Sequence, residues 1–150
     1  MLKRNILIIL FVLIICFIWG NSLLSAETSS RISNAVSELL TSFFGNGEGE
    51  SAIDNTSVRK LAHFVEFFFL GIVASLLLRL LINDTRVGIA LSGLLCLFIP
   101  VMDETIQIFT GRGPSLRDVW IDIGGYALGS LAVYLIVFIR AFLKKNNHKN

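Results

Sequence analysis

Four apolar runs, of ~20 residues or more each, divide this 150-residue chain at positions 5–24, 58–82, 87–109 and 116–143. A helix of that length crosses the hydrocarbon of a bilayer, where each backbone N–H and C=O must be satisfied within its own segment. The runs therefore predict an all-α integral membrane protein with four transmembrane helices. Composition agrees: 54% of residues are hydrophobic, 16% are charged, and the mean hydropathy is +0.74. The connections are too short for a second core, which ordinarily needs ~50 residues, so residues 1–150 are expected to form one membrane domain. A formal net charge of +2, spread along the chain, gives no basic face for nucleic acid. Cys16 and Cys96 both fall inside apolar runs, which excludes a disulfide framework.

Lys and Arg near the span ends set orientation. With both termini cytoplasmic, the inner side carries Lys3, Arg4, Arg79, Arg86, Arg140, Lys144, Lys145 and Lys149, and the outer side carries Arg31, Arg59, Lys60, Arg112 and Arg117. Of the acidic residues only Asp84 is then inside, so any chemistry faces outward. The first run also fits a secretory leader, with Lys3 and Arg4 ahead of it and Leu24-Ser25-Ala26 as a poor cleavage site. Between the first two spans, Ile32, Ala35, Val36, Leu39, Leu40, Phe43 and Phe44 form one apolar helical stripe. This predicts an outer interfacial amphipathic helix over about residues 29–44, followed by a Gly/Glu-rich linker at 45–51. It has no basic polar face, and reads as a lid or spacer.

Several polar residues do not belong in lipid. Lys60, His63 and Glu66 recur every third position on one face of the second span. A charge at the depth of Glu66 costs ~2.5–3.5 kcal/mol on insertion scales, so it should face protein or a wet cavity. Asp103, Glu104 and Gln107 occupy the last turns of the third span, just after Pro100, where a kink with local water is expected. After the turn that carries Arg112, Ser115 can cap the fourth span, with Arg117 and Asp118 in its first turn and Asp122 one turn deeper. Gly125 and Gly129 make a G-x-x-x-G, read first as packing within the chain and second as a homodimer face. The expectation is one outer cavity holding Lys60, His63, Glu66, Asp103, Glu104, Gln107, Arg112, Asp118 and Asp122, with Ser115 and Arg117 beside it. Counting Lys60, Arg112 and Arg117 against the five carboxylates leaves two uncompensated negative charges, which a protonated group or a bound cation would balance.

In order and spacing, Lys60-Leu-Ala-His63-Phe64-Val-Glu66, Asp103-Glu104-Thr-Ile-Gln107, Gly111-Arg112, Ser115-Leu-Arg-Asp118, Asp122 and the glycines resemble the VanZ-like membrane proteins. The stretch from Trp19 to Ser33 is similar too, so the likeness covers most of residues 8–138. Thr110 stands where proline is expected in many members, and Asp122 where Asn is frequent. The resemblance implies the bacterial cell membrane and a link to the glycopeptide teicoplanin, but supplies no reaction.

Two function classes fit the cluster, and a third is narrower. As a binding protein, the chain would recognise a lipid headgroup, a lipid-linked wall precursor or a glycopeptide, with Phe64, Phe67, Phe68 and Trp120 as aromatic walls. As an enzyme, it would use His63 as general acid/base oriented by Glu66, with the Asp103/Glu104 pair as a second proton site or metal ligands, and with Arg112, Arg117 and Lys60 on a phosphate. No Ser or Cys is placed as a nucleophile, and one histidine among carboxylates is a weak metal signature. Binding is therefore the favoured reading, and no motif assigns a cofactor. Proton-coupled transport also fits buried carboxylates, but four spans leave little room for a pathway unless two chains pair.

Overall fold

A computed structural model describes residues 1–44, 54–112 and 115–147. They form five helices: α1 (Leu2–Ser22), α2 (Ala26–Phe44), α3 (Asn55–Leu81), α4 (Thr85–Phe109) and α5 (Leu116–Asn147). Of these α1, α3, α4 and α5 are long and apolar enough to cross a membrane. The linker expected at 45–51 lies outside the described residues.

Local chemistry explains where the boundaries differ from expectation. Helix α2 begins at Ala26, three residues early, because the Ser25 hydroxyl accepts the Thr28 N–H at 3.3 Å and so caps it. Asp54 accepts the Ser57 N–H and starts α3 at Asn55, before the apolar run itself begins. Asp84 does the same for α4 through the Arg86 N–H. Helix α5 runs on to Asn147, past the expected end at 143, with Lys144 and Lys145 in the last turn, where cations suit the helix C-terminus. Helix α4 continues unbroken through Pro100.

The surface is inverted relative to a water-soluble protein. Phe109, Leu116 and Trp120 point outward, whereas Asp103, Glu104, Gln107 and Asp122 are buried. The bilayer explains both halves: apolar side chains lose nothing in lipid, and charges must be enclosed by protein. The chain is a multi-pass membrane protein.

Helix α3 is the hub and touches each of the other four. Its closest partner is α5, and the two run parallel: Gly125 lies on the Phe64 backbone and Gly129, one turn on, lies on that of Phe68. Gly71 returns the contact against Tyr126. A Cβ at any of the three would collide with the facing carbonyl, so the G-x-x-x-G is consumed within the chain, and the homodimer use of that face has no surface left. Ile18, Phe67, Leu70, Ala74, Ile99 and Tyr126 fill the small core. At one end, Met1 to Arg4 lie beside Leu80. At the other, the C-terminal turns of α1 and α4 meet the N-terminal halves of α3 and α5, and the polar residues gather there.

Candidate functional site

The deepest element is Asp103 on α4, which is fully buried. Its Oδ1 accepts the Ser22 hydroxyl at 2.6 Å and its Oδ2 accepts Gln107 Nε2 at 2.6 Å. Gln107 also donates to Ser22 Oγ at 3.3 Å, and the Thr110 hydroxyl donates to the Ser22 carbonyl at 3.1 Å. The end of α4 thus satisfies carbonyls and hydroxyls left open at the end of α1. Asn21 donates to Glu66 Oε1 at 3.1 Å, and its carbonyl accepts from Arg112 at 3.4 Å. Asn21 and Ser22 were not among the residues expected at the site, and a chain cut after Ala26 would lack both. The signal for them was small polar residues closing an otherwise apolar run.

Two expected pairings are corrected. Glu66 makes no bond to His63 among the described residues: its Oε1 accepts from Asn21 and its Oε2 has no hydrogen-bond partner. Instead His63 Nδ1 lies 3.9 Å from both Asp103 Oδ2 and Asp122 Oδ1. Nor do Asp103 and Glu104 act as a pair. Adjacent residues on a helix point ~100° apart, and Glu104 turns to accept the Ser115 backbone N–H at the mouth of α5. Ser115 in turn caps α5 by accepting the Asp118 N–H at 3.3 Å, as expected of it.

Other residues divide by side. Lys60 borders a small crevice between α3 and α5 with Arg59, His63, Asp118 and Asp122. Arg59 reaches Asp118 at 4.0 Å. Arg117, in the first turn of α5, is exposed, and it makes no ion pair with the cluster among the described residues. The expected aromatic walls are corrected in part: Trp120 is 70% exposed and Phe67 belongs to the core, while Phe64 and Phe68 set their backbones against the α5 glycines.

A cavity of about 390 Å³ opens between α1, α2 and α3. Phe17, Leu24, Ile32, Val36 and Val58 give it apolar walls, and Asn21, Arg59, His63, Glu66 and Arg112 its polar side. Ser29 and Ser33 line it from α2. Phe17 and Glu66 are shared with an apolar groove of about 420 Å³ between α1 and α3, lined by Leu10, Ile14, Val65, Phe69 and Val73. Arg112 is only 8% exposed, and its Nε has no hydrogen-bond partner. Burial, helped by the Arg59 charge, pulls its pKa below the ordinary guanidinium value, against the opposing pull of Asp103 and Glu104. Among the described residues, the one contact between a Lys or Arg and a carboxylate of this cluster is Arg59–Asp118 at 4.0 Å. Buried charges held this close without neutralising each other directly are costly.

Comparison with curated proteins and with solved structures finds no match. The family model described as VanZ/LLP1 matches residues 7–139, which takes in all of the polar cluster, and the chain belongs to that family.

Proposed function

We propose that the protein binds a membrane lipid with a phosphate-bearing headgroup, either a phospholipid or a lipid-linked cell-wall precursor. The headgroup sits in the cavity and the hydrocarbon chain in the adjoining groove. The observation that carries this reading is Arg112, a buried guanidinium on the cavity wall, beside Arg59, with its Nε donor left over. A planar guanidinium meets phosphate oxygens through paired N–H bonds, and in a partly dry site such bonds are stronger than in water. The groove supports a lipid over a soluble anion, because it continues the cavity along α1 and α3 with purely apolar side chains apart from Glu66. In this reading both termini are cytoplasmic, the cavity faces outward, and α2 lies in the outer interface as its cover.

Native mass spectrometry of the protein extracted in mild detergent tests this. The unmutated chain should carry one discrete class of phosphate-bearing lipid, and Arg59→Ala/Arg112→Ala should lose it. Arg31→Ala removes an exposed cation paired only with Glu27 along α2 and should leave the lipid bound. An identical lipid profile in all three proteins would overturn the proposal.

A further inference from the structure

Below the cavity, His63, Asp103 and Asp122 offer one ligand atom each, all within 4.8 Å of one another, from three different helices. His63 Nδ1 stands 3.9 Å from each carboxylate, too far for a hydrogen bond. Ligand bonds of ~2.0–2.2 Å around one cation place its donors ~3–3.5 Å apart. Small side-chain rotations therefore bring the three onto a common ion. The Asp122 side chain is 2% exposed and its Oδ1, aimed at His63, has no hydrogen-bond partner; neither has His63 Nδ1. A buried polar atom left this way costs ~1–3 kcal/mol, more when charged, and both belong to groups that coordinate metals.

The surroundings have the form of a ligand shell. Ser22 and Gln107 hold Asp103 by its two oxygens, as outer partners orient a metal-binding carboxylate. The local charge also fits. Glu66, Asp103, Glu104, Asp118 and Asp122 face Arg59, Lys60 and Arg112, which leaves two negative charges when His63 is neutral. Arg59 replaces Arg117 in this count, and the remainder equals one divalent cation.

We infer that His63, Asp103 and Asp122 form a binding site for one divalent metal ion of the Zn²⁺ or Mn²⁺ class. An imidazole with two carboxylates suits these borderline ions better than Ca²⁺ or Mg²⁺, which prefer oxygen alone. Three protein ligands leave coordination positions open, as in sites where a metal meets a further ligand, and His63 also lines the cavity. The site stands whether or not a lipid fills the cavity.

Calorimetric titration of chelator-stripped protein with Zn²⁺ and with Mn²⁺, in a His148→Ala background, tests the assignment. His63 is then the chain's one histidine. One ion per chain should bind, Asp122→Asn should weaken affinity by ~10–100-fold or more, and Glu27→Gln, which removes an exposed carboxylate on α2, should change it less than about threefold. The ring ¹⁵N resonances of His63 report ligation on protein carrying no ligand substitution, and Zn²⁺ should shift them even if Asp122→Asn fails to fold. Absence of stoichiometric binding, unshifted ring resonances, or unchanged affinity in a folded Asp122→Asn protein would each overturn the site.

Discussion

Ser22→Ala removes one oxygen atom and should cost more than its size suggests. The hydroxyl is fully buried, donates a short bond to the Asp103 carboxylate and accepts a longer one from Gln107. Hydrogen bonds to charged groups contribute ~1.5–3 kcal/mol, while interhelical bonds in membrane proteins average ~0.6 and reach ~1.7 kcal/mol. The lower average reflects bonds that lipid-exposed helices can replace. Asp103 has no such recourse, since the deleted donor comes from another helix and Gln107 is already engaged. We therefore expect a loss of about 1.5 kcal/mol, roughly tenfold in the unfolding equilibrium. Unfolding in mixed micelles of dodecyl sulfate and a mild detergent measures it, with Ser25→Ala as control, because Ser25 bonds only within the exposed start of α2. A double-mutant cycle with Asp103→Asn should place most of the loss in the pair. If Ser22→Ala and Ser25→Ala are equally stable, or if the cycle shows no coupling, the end of α1 does not support the carboxylate as argued.

Two substitutions to alanine five residues apart on α5 should have opposite signs. At Gly129 the new methyl meets the Phe68 carbonyl and should destabilise by ~1–2 kcal/mol, whereas at Gly124 the nearest atom is a Phe64 ring carbon at 3.9 Å and helix propensity should stabilise by ~0.5–1 kcal/mol, both read in the same unfolding assay. For orientation, Ser42→Cys and Lys145→Cys in a Cys16→Ala/Cys96→Ala background should respectively react with a membrane-impermeant maleimide on intact cells and remain unlabelled until the cells are opened. The opposite pattern would invert the proposed topology.

How much of this was legible in the sequence depends on whether a signal was local. The spans were, because twenty apolar residues have few alternatives. So was the face of α3 that carries Lys60, His63 and Glu66, since a spacing of three fixes side chains on one helix by geometry alone. The glycines of α5 were half legible: their spacing announces close approach, but only packing reveals that α3 provides the partner. Partner choice across helices was not legible. Glu66 looks like the natural mate of His63 one turn away, yet Nδ1 of His63 lies toward Asp103 and Asp122, and Glu66 meets Asn21 from α1. Asp103 and Glu104 look like a carboxylate pair, and diverge because Ser22 and Ser115 approach from opposite sides. Asn21 and Ser22 carry no charge, and nothing in their neighbourhood announces that an Asp lies opposite.

The distribution of charge argues for a bound ligand over a purely structural role. If these groups served only to hold four helices together, the lowest-energy arrangement would pair each cation with a carboxylate at hydrogen-bond distance, since a lone buried charge is heavily penalised. The fold separates them instead. Arg112 bonds to the Asn21 carbonyl and Arg59 only approaches Asp118, while Asp103 is held by the neutral Ser22 and Gln107 and Glu104 by a backbone N–H. Arg59 and Arg112 line the cavity together with Glu66, whereas Asp103 and Asp122 do not, so an anion on the cavity side and a cation among His63, Asp103 and Asp122 would each relieve a distinct imbalance. The two proposals are independent for that reason: replacing both arginines removes the anion's partners and leaves the His63, Asp103 and Asp122 donors in place, and Asp122→Asn does the converse.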